Sequence, residues 1–301
     1  MLSRLARLSI AGTALAIPGL AAAQQPPAPP PAESNQIIVT GQNERDTRRA
    51  INEFVGALTP APARGQISRF EDRVCPGAVG LSPPLREAVV SRMRQVAQAA
   101  EMNVDEPDCY INVLLVVTRD KRAFMNGLRR AHPAYFADRT LSQVRRLLAQ
   151  PGPTTAWHLA GIPRSARGTE IYIDESLGQW TNRTMEASSR LSAPVRPVFS
   201  GAVLVVEAGA LDGLTTTQLA DYAAMRLFAS TDPSRLPQTG APSILGVIEA
   251  PMGTAIPITL TEWDLGFLRG LYTSPRNYYA GATRSMIAET VRETIQNPPS
   301  E

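Results

Sequence analysis

Two apolar runs limit what this chain can become. Ile111–Val117 reads INVLLVV and Val198–Glu207 reads VFSGAVLVVE, both β-branched and of strand length. A strand that is apolar at almost every position has no face left for water, so it must be covered on both sides. The chain therefore needs a sheet with other elements packed on it. Apolar residues recur at helical spacing in 47–58 (Ile51, Phe54, Val55, Leu58), 83–100 (Leu85, Ala88, Val89, Val96, Ala97, Ala100), 121–131 and 283–295 (Ile287, Val291, Ile295). Ser82, ahead of Pro83-Pro84, reads as the N-cap of the second of these. Three capping-box patterns mark further helix starts: Thr140 with Gln143, Thr215 with Gln218, and Thr261 with Asp264. Gln66–Val74 reads as a strand, and 155–186 as strand-like and loop-rich. The expected fold is α/β or α+β, a single domain over 47–298 with a mixed sheet and packed helices. A chain of 301 residues, 44% hydrophobic, is large enough for such a core.

The N-terminus predicts export. Arg4 and Arg7 precede an apolar stretch from Leu8 to Leu20, and Ala21-Ala22-Ala23 is a small-residue cleavage pattern. This is the order of a signal peptide over 1–23, cleaved after Ala23, with a periplasmic or secreted product. Residues 24–46 read as a Pro/Ala/Gln-rich linker (QQPPAPPPAE at its start) with a short β-prone segment near its middle. That segment, Gln36-Ile37-Ile38-Val39-Thr40-Gly41, resembles the energy-coupling box of TonB-dependent outer-membrane receptors, which works by adding a strand to a partner's sheet. The long barrel of such receptors has no counterpart here, and the plainer reading is an edge strand. No later stretch is apolar enough to predict a membrane span.

Cys75 and Cys109 are the only cysteines. In an exported chain an even pair reads as one disulfide, closing a loop worth roughly 3 kcal/mol. A metal or redox pair is the alternative, but C-x-x-C spacing is missing and no histidine stands near.

Chemistry-bearing motifs are sparse. The two histidines, His132 and His158, fall in different predicted elements, outside H-E-x-x-H or H-x-x-x-H spacing. His132 reads as a helix-end residue and His158 as a core or edge residue. The chain carries neither a G-x-S-x-G elbow nor S-x-x-K, and Ser188-Ser189 lies in a polar stretch. No cofactor is implied.

Charge is the one uneven feature. Between 119 and 146 stand Arg119, Lys121, Arg122, Arg129, Arg130, Arg139, Arg145 and Arg146, against only Asp120 and Asp138. Gly201–Asp264 is acidic by contrast. The formal net charge of +3 is too small to imply nucleic-acid binding. Of these, Arg119, Lys121, Arg122, Arg129, Arg130, Arg145 and Arg146 read as an anion-binding patch for an envelope component or another periplasmic protein, or else as solvated helix faces or complementary surfaces of one fold.

The C-terminal third carries a resemblance. Its residues are the strand Ala202–Glu207, the helix from Leu214 to Met225, then Ala241–Leu245, Leu260–Asp264, Phe267–Tyr272 and Pro275-Arg276. Together they resemble a family of exported alphaproteobacterial proteins whose pattern is distantly similar to metzincin-type zinc proteases. The resemblance implies a zincin-like scaffold. In such proteases the helix carries two metal-binding histidines and a glutamate base. The matching positions here are Thr217, Gln218 and Asp221: Thr is a poor zinc ligand, Gln cannot act as a base, and Asp221 alone could bind a metal, which does not make a site. The reading is therefore a non-catalytic binding protein on a degenerate scaffold. The alternative is a hydrolase of envelope polymer or peptide using carboxylates, with a metal recruited near Asp221.

Overall fold

The two apolar runs lie side by side at the centre of one sheet. The computed structural model describes residues 41–61, 65–165, 172–174, 179–181, 193–237, 239–248 and 255–298. The expected signal peptide over 1–23, the β-prone segment up to Thr40 and Ser188-Ser189 fall outside them. In chain order the elements are helix α1 (Gly41–Leu58), strands β1 (Arg69–Phe70) and β2 (Pro76–Val79), helix α2 (Pro83–Ala99), strand β3 (Val113–Thr118), and helices α3 (Lys121–Ala131) and α4 (Leu141–Leu148). There follow strands β4 (Thr154–Ala160), β5 (Arg164–Ser165), β6 (Tyr172–Asp174), β7 (Gln179–Thr181), β8 (Val195–Arg196) and β9 (Val198–Glu207), then helices α5 (Thr216–Phe228), α6 (Glu262–Thr273) and α7 (Ala280–Gln296).

The main sheet runs β2–β3–β9–β4, with β1 on the first two residues of β9. Strands β1, β2, β3 and β9 are parallel, and β4 is antiparallel. Alternation divides each central strand between two cores. From β3, Val113 and Leu115 face one side and Leu114 and Val116 the other; from β9, Ala202, Leu204 and Val206 oppose Val203 and Val205. The larger core packs these residues against α1, α2, α5, α6 and α7. The smaller holds Met125 of α3, Phe136, Val144 of α4 and Trp157. The result is an α/β domain with helices on both faces, which covers the apolar runs on both sides. Helices α6 and α7 meet at Gly266 and Gly270, where an added Cβ would lie 2.6 Å from the Val291 Cα and 2.7 Å from the Ile287 Cα.

The three capping boxes are present at α4, α5 and α6. Other expectations need correction. The helix expected from Thr47 starts at Gly41, within the expected linker, and an exposed Glu44–Arg48 pair bridges one of its early turns. The expected strand 66–74 shrinks to Arg69–Phe70 and a single bridge at Val74. Strand β2, which begins Pro-Gly, was hidden by turn-like residues; a proline is tolerated there because β2 is an edge. Ser82 stands at the N-cap of α2 but its side chain makes no capping bond, and Leu85 and Ala88 are exposed rather than inward.

The disulfide is formed between Cys75, just ahead of β2, and Cys109, ahead of β3. It closes the β2–α2 unit at the base of two neighbouring strands. Among the described residues no helix is long and apolar enough to cross a membrane.

Candidate functional site: an arginine face on α3 and α4

On α5, Thr217 is exposed. Gln218 is buried; its Oε1 accepts the Thr215 N–H (3.0 Å) and its Nε2 donates to the Pro257 carbonyl (2.8 Å). Asp221 is wholly buried and its carboxylate is saturated. It accepts from Arg92 Nε (2.7 Å), Arg92 Nη2 (3.1 Å), Thr259 Oγ1 (2.7 Å) and the Leu260 N–H (2.7 Å). These groups fasten α2 and the 257–260 segment to α5. A metal ion needs open lone pairs from several side chains, and here a guanidinium holds the one carboxylate. The residues present do not fit a zinc ion, and the described residues hold no group of three His, Cys, Asp or Glu placed to bind a metal.

His132 closes the C-terminal end of α3. His158, on β4, is buried, stacks on Phe199 with ring centroids 4.2 Å apart, and places Nε2 3.0 Å from the Leu227 carbonyl. Burial pushes its pKa from 6.5 down to about 4, against the pull of that carbonyl, so it stays neutral. Neither histidine meets a nucleophile in the described contacts.

Sequence reading passed over a buried ionic cluster at the end of α6. Arg69 Nη1 donates to the carbonyls of Leu271 (2.6 Å), Tyr272 (2.9 Å) and Ser274 (2.9 Å), capping the negative end of that helix. Its Nε pairs with Glu71 (2.8 Å), which also holds Arg276 (2.7 Å) and lies 3.6 Å from Arg196. Burial works to raise the Glu71 pKa, but Arg69 and Arg276 overcome it and leave it below the ordinary range. Burial beside Arg69 lowers the Arg196 pKa to about 9. The signal was the charged run Arg69–Arg73, read only as part of a strand.

The basic cluster of 119–146 separates into two groups. Lys121 is buried, and its Nζ donates to the carbonyls of Gln150 (2.9 Å), Gly152 (2.6 Å) and Thr154 (3.4 Å). Arg139 pairs with Asp138 (2.5 Å) and donates to the His158 carbonyl (2.9 Å), while Asp138 accepts the Ala160 N–H (3.0 Å). These three residues cover outward-facing backbone groups of β4, an edge strand that would otherwise invite pairing. Arg139 lies outside the proposed patch, and Lys121, which joins it in this structural role, therefore leaves that patch.

The other six remain in it. Arg119, Arg122, Arg129, Arg130, Arg145 and Arg146 are exposed, and among the described residues none has an acidic side chain within ion-pair distance. Lys121, the first residue of α3, bonds to Gln150, just past α4, so the two helices run antiparallel. Arg119 and Arg122 thus share one end of the layer with the end of α4 that carries Arg145 and Arg146. Arg129 and Arg130 lie toward the other end, where α4 starts at Leu141. Four of the six stand in last helical turns, where positive charge suits the helix dipole. Arg119 and Arg122 stand at the start of α3, where it does not.

No family model, curated protein or solved structure matches this chain.

Proposed function

We propose that this is an exported protein that binds an anionic component of the cell envelope through the arginine face of α3 and α4, with no chemistry of its own. One observation carries the reading: six exposed guanidinium groups lack counter-ions among the described residues, two of them at a helix end where they oppose the dipole. Export is supported by the order of charge, apolar stretch and small residues in 1–23 and by the Cys75–Cys109 bridge, since such bridges persist in oxidising compartments. Binding rather than hydrolysis is supported by Asp221, whose carboxylate is held by Arg92 instead of standing open.

The test is retention on immobilised heparin, a soluble polyanion. Wild-type protein is retained at low salt and released as salt rises, because exposed charges are screened. A variant with Arg122, Arg129, Arg130 and Arg146 changed to Ser passes through unretained while keeping its circular dichroism spectrum. Equal retention of the two proteins would sink the proposal.

A further inference from the structure

Resting on that reading, we infer that the anion is the headgroup plane of an anionic phospholipid bilayer, on which the α3–α4 layer docks with Leu141 as its apolar anchor. Leu141, the first residue of α4, is 72% exposed. Val144, three residues on, is buried, and Arg145, four residues on and so a neighbour of Leu141 on the helix surface, is exposed. The antiparallel arrangement sets Leu141 toward the end of the layer that carries Arg129 and Arg130. Exposed cationic groups therefore stand near both ends of α3, a helix about 16 Å long for its eleven residues, and the exposed Leu141 begins the neighbouring helix.

The pairing of exposed arginines with an exposed leucine favours a bilayer over a soluble polyanion. A soluble polyanion would engage the arginines and leave Leu141 in water. A bilayer surface uses both. Headgroup phosphates take the guanidinium groups, and the leucine enters the boundary between headgroups and acyl chains. Arginine suits this position because its apolar stem can lie along the interface while its charge stays among the phosphates.

Co-sedimentation of the folded protein with large vesicles of phosphatidylglycerol and phosphatidylcholine tests the inference, with heparin retention measured in parallel. Wild-type protein sediments with vesicles rich in phosphatidylglycerol and not with pure phosphatidylcholine. Each of Arg129→Ser and Arg145→Ser lowers the vesicle affinity about fivefold. Leu141→Ser lowers it about tenfold and leaves heparin retention unchanged. Heparin retention without vesicle binding would overturn the bilayer assignment and leave the anion-binding reading standing; loss of both would remove both. Vesicle binding that is indifferent to Leu141→Ser would also overturn it. Leu141 is exposed, so an unchanged thermal transition in that variant shows that the fold is intact.

Discussion

Arg69 and Arg129 are the same side chain in opposite circumstances. Arg69 is buried, and three carbonyls at the end of α6 and the Glu71 carboxylate take its hydrogens. Arg129 is exposed at the end of α3 and makes no ion pair among the described residues. The difference runs through the molecule. On the side of the larger core, two buried carboxylates gather arginines: Arg69, Arg196 and the more exposed Arg276 meet on Glu71, and Arg92 grips Asp221, while Arg45, Arg49 and Arg86 on α1 and α2 stand exposed without an ion pair among the described residues. On the α3–α4 side the buried core is small, and the charge, apart from Lys121 and Arg139, faces outward unmatched. Matched charge in a low-dielectric interior fixes geometry, and its removal is felt by the fold. Unmatched charge in water contributes little to stability and remains available to a partner.

The comparison breaks most readily at Glu71. Glu71→Gln leaves Arg69 and Arg196 buried without a carboxylate, and we expect a loss of ~3–5 kcal/mol in urea unfolding. A loss under about 1 kcal/mol would mean that the helix-end carbonyls alone satisfy these guanidiniums, and the contrast between the two sides would fail. Next in size is the bridge. Replacing Cys75 and Cys109 together by Ala frees the unfolded 75–109 loop and lowers stability by roughly 3 kcal/mol. The loss belongs to the β2–α2 unit, so hydrogen exchange should quicken there while α3 and α4 keep their protection.

Proton linkage sharpens the same contrast, because the strongly shifted groups lie on the side of the larger core. The folded pKa of His158 is depressed to about 4, so its contribution to stability is full above pH 6.5 and is lost as pH falls through 4. Asp264 behaves oppositely. Burial raises its pKa to about 6, although Ile244, Ser243 and Thr261 donate to it. Its contribution is full below pH 3.8 and is lost as pH rises through 6. Each effect is on the order of 3 kcal/mol, and between pH 6 and 4 they cancel. His158→Gln should therefore gain stability on acidification in that window relative to wild type, and Asp264→Asn should lose it. Parallel pH profiles for wild type and both variants would refute the assignment.

The sequence made the sheet legible because burial on both faces leaves a mark no other element shares. The run Val198–Glu207 could only be a covered strand, and it is β9 to the residue. The capping boxes were equally plain, since Thr140, Thr215 and Thr261 need only their own third neighbour. What stayed hidden depends on distant partners. Asp221 meets Arg92 and Arg69 meets the end of α6 across 129 and 202 residues respectively, and local spacing holds no trace of either. Lys121 misled for the same reason. By composition it belongs with its basic neighbours, but the carbonyls that bury it are contributed by the turn after α4.

The smallest expected effect has the most informative sign. Arg129 and Arg130 end α3, where their charge favours the helix, so Arg129→Ser should lower stability by a few tenths of a kcal/mol. Arg122 begins the same helix, where its charge opposes the dipole, and Arg122→Ser should raise stability by a similar few tenths. Both substitutions should weaken heparin retention. A residue whose removal steadies the fold and weakens binding is held in place by binding, since stability alone would favour its loss. Thermal unfolding of the two variants at low salt, where the dipole effect is least screened, separates the cases. If Arg122→Ser instead destabilises by more than about 1 kcal/mol, Arg122 belongs with the matched charges of the interior, and the arginine face loses one of the two residues that set it apart from ordinary helix surface.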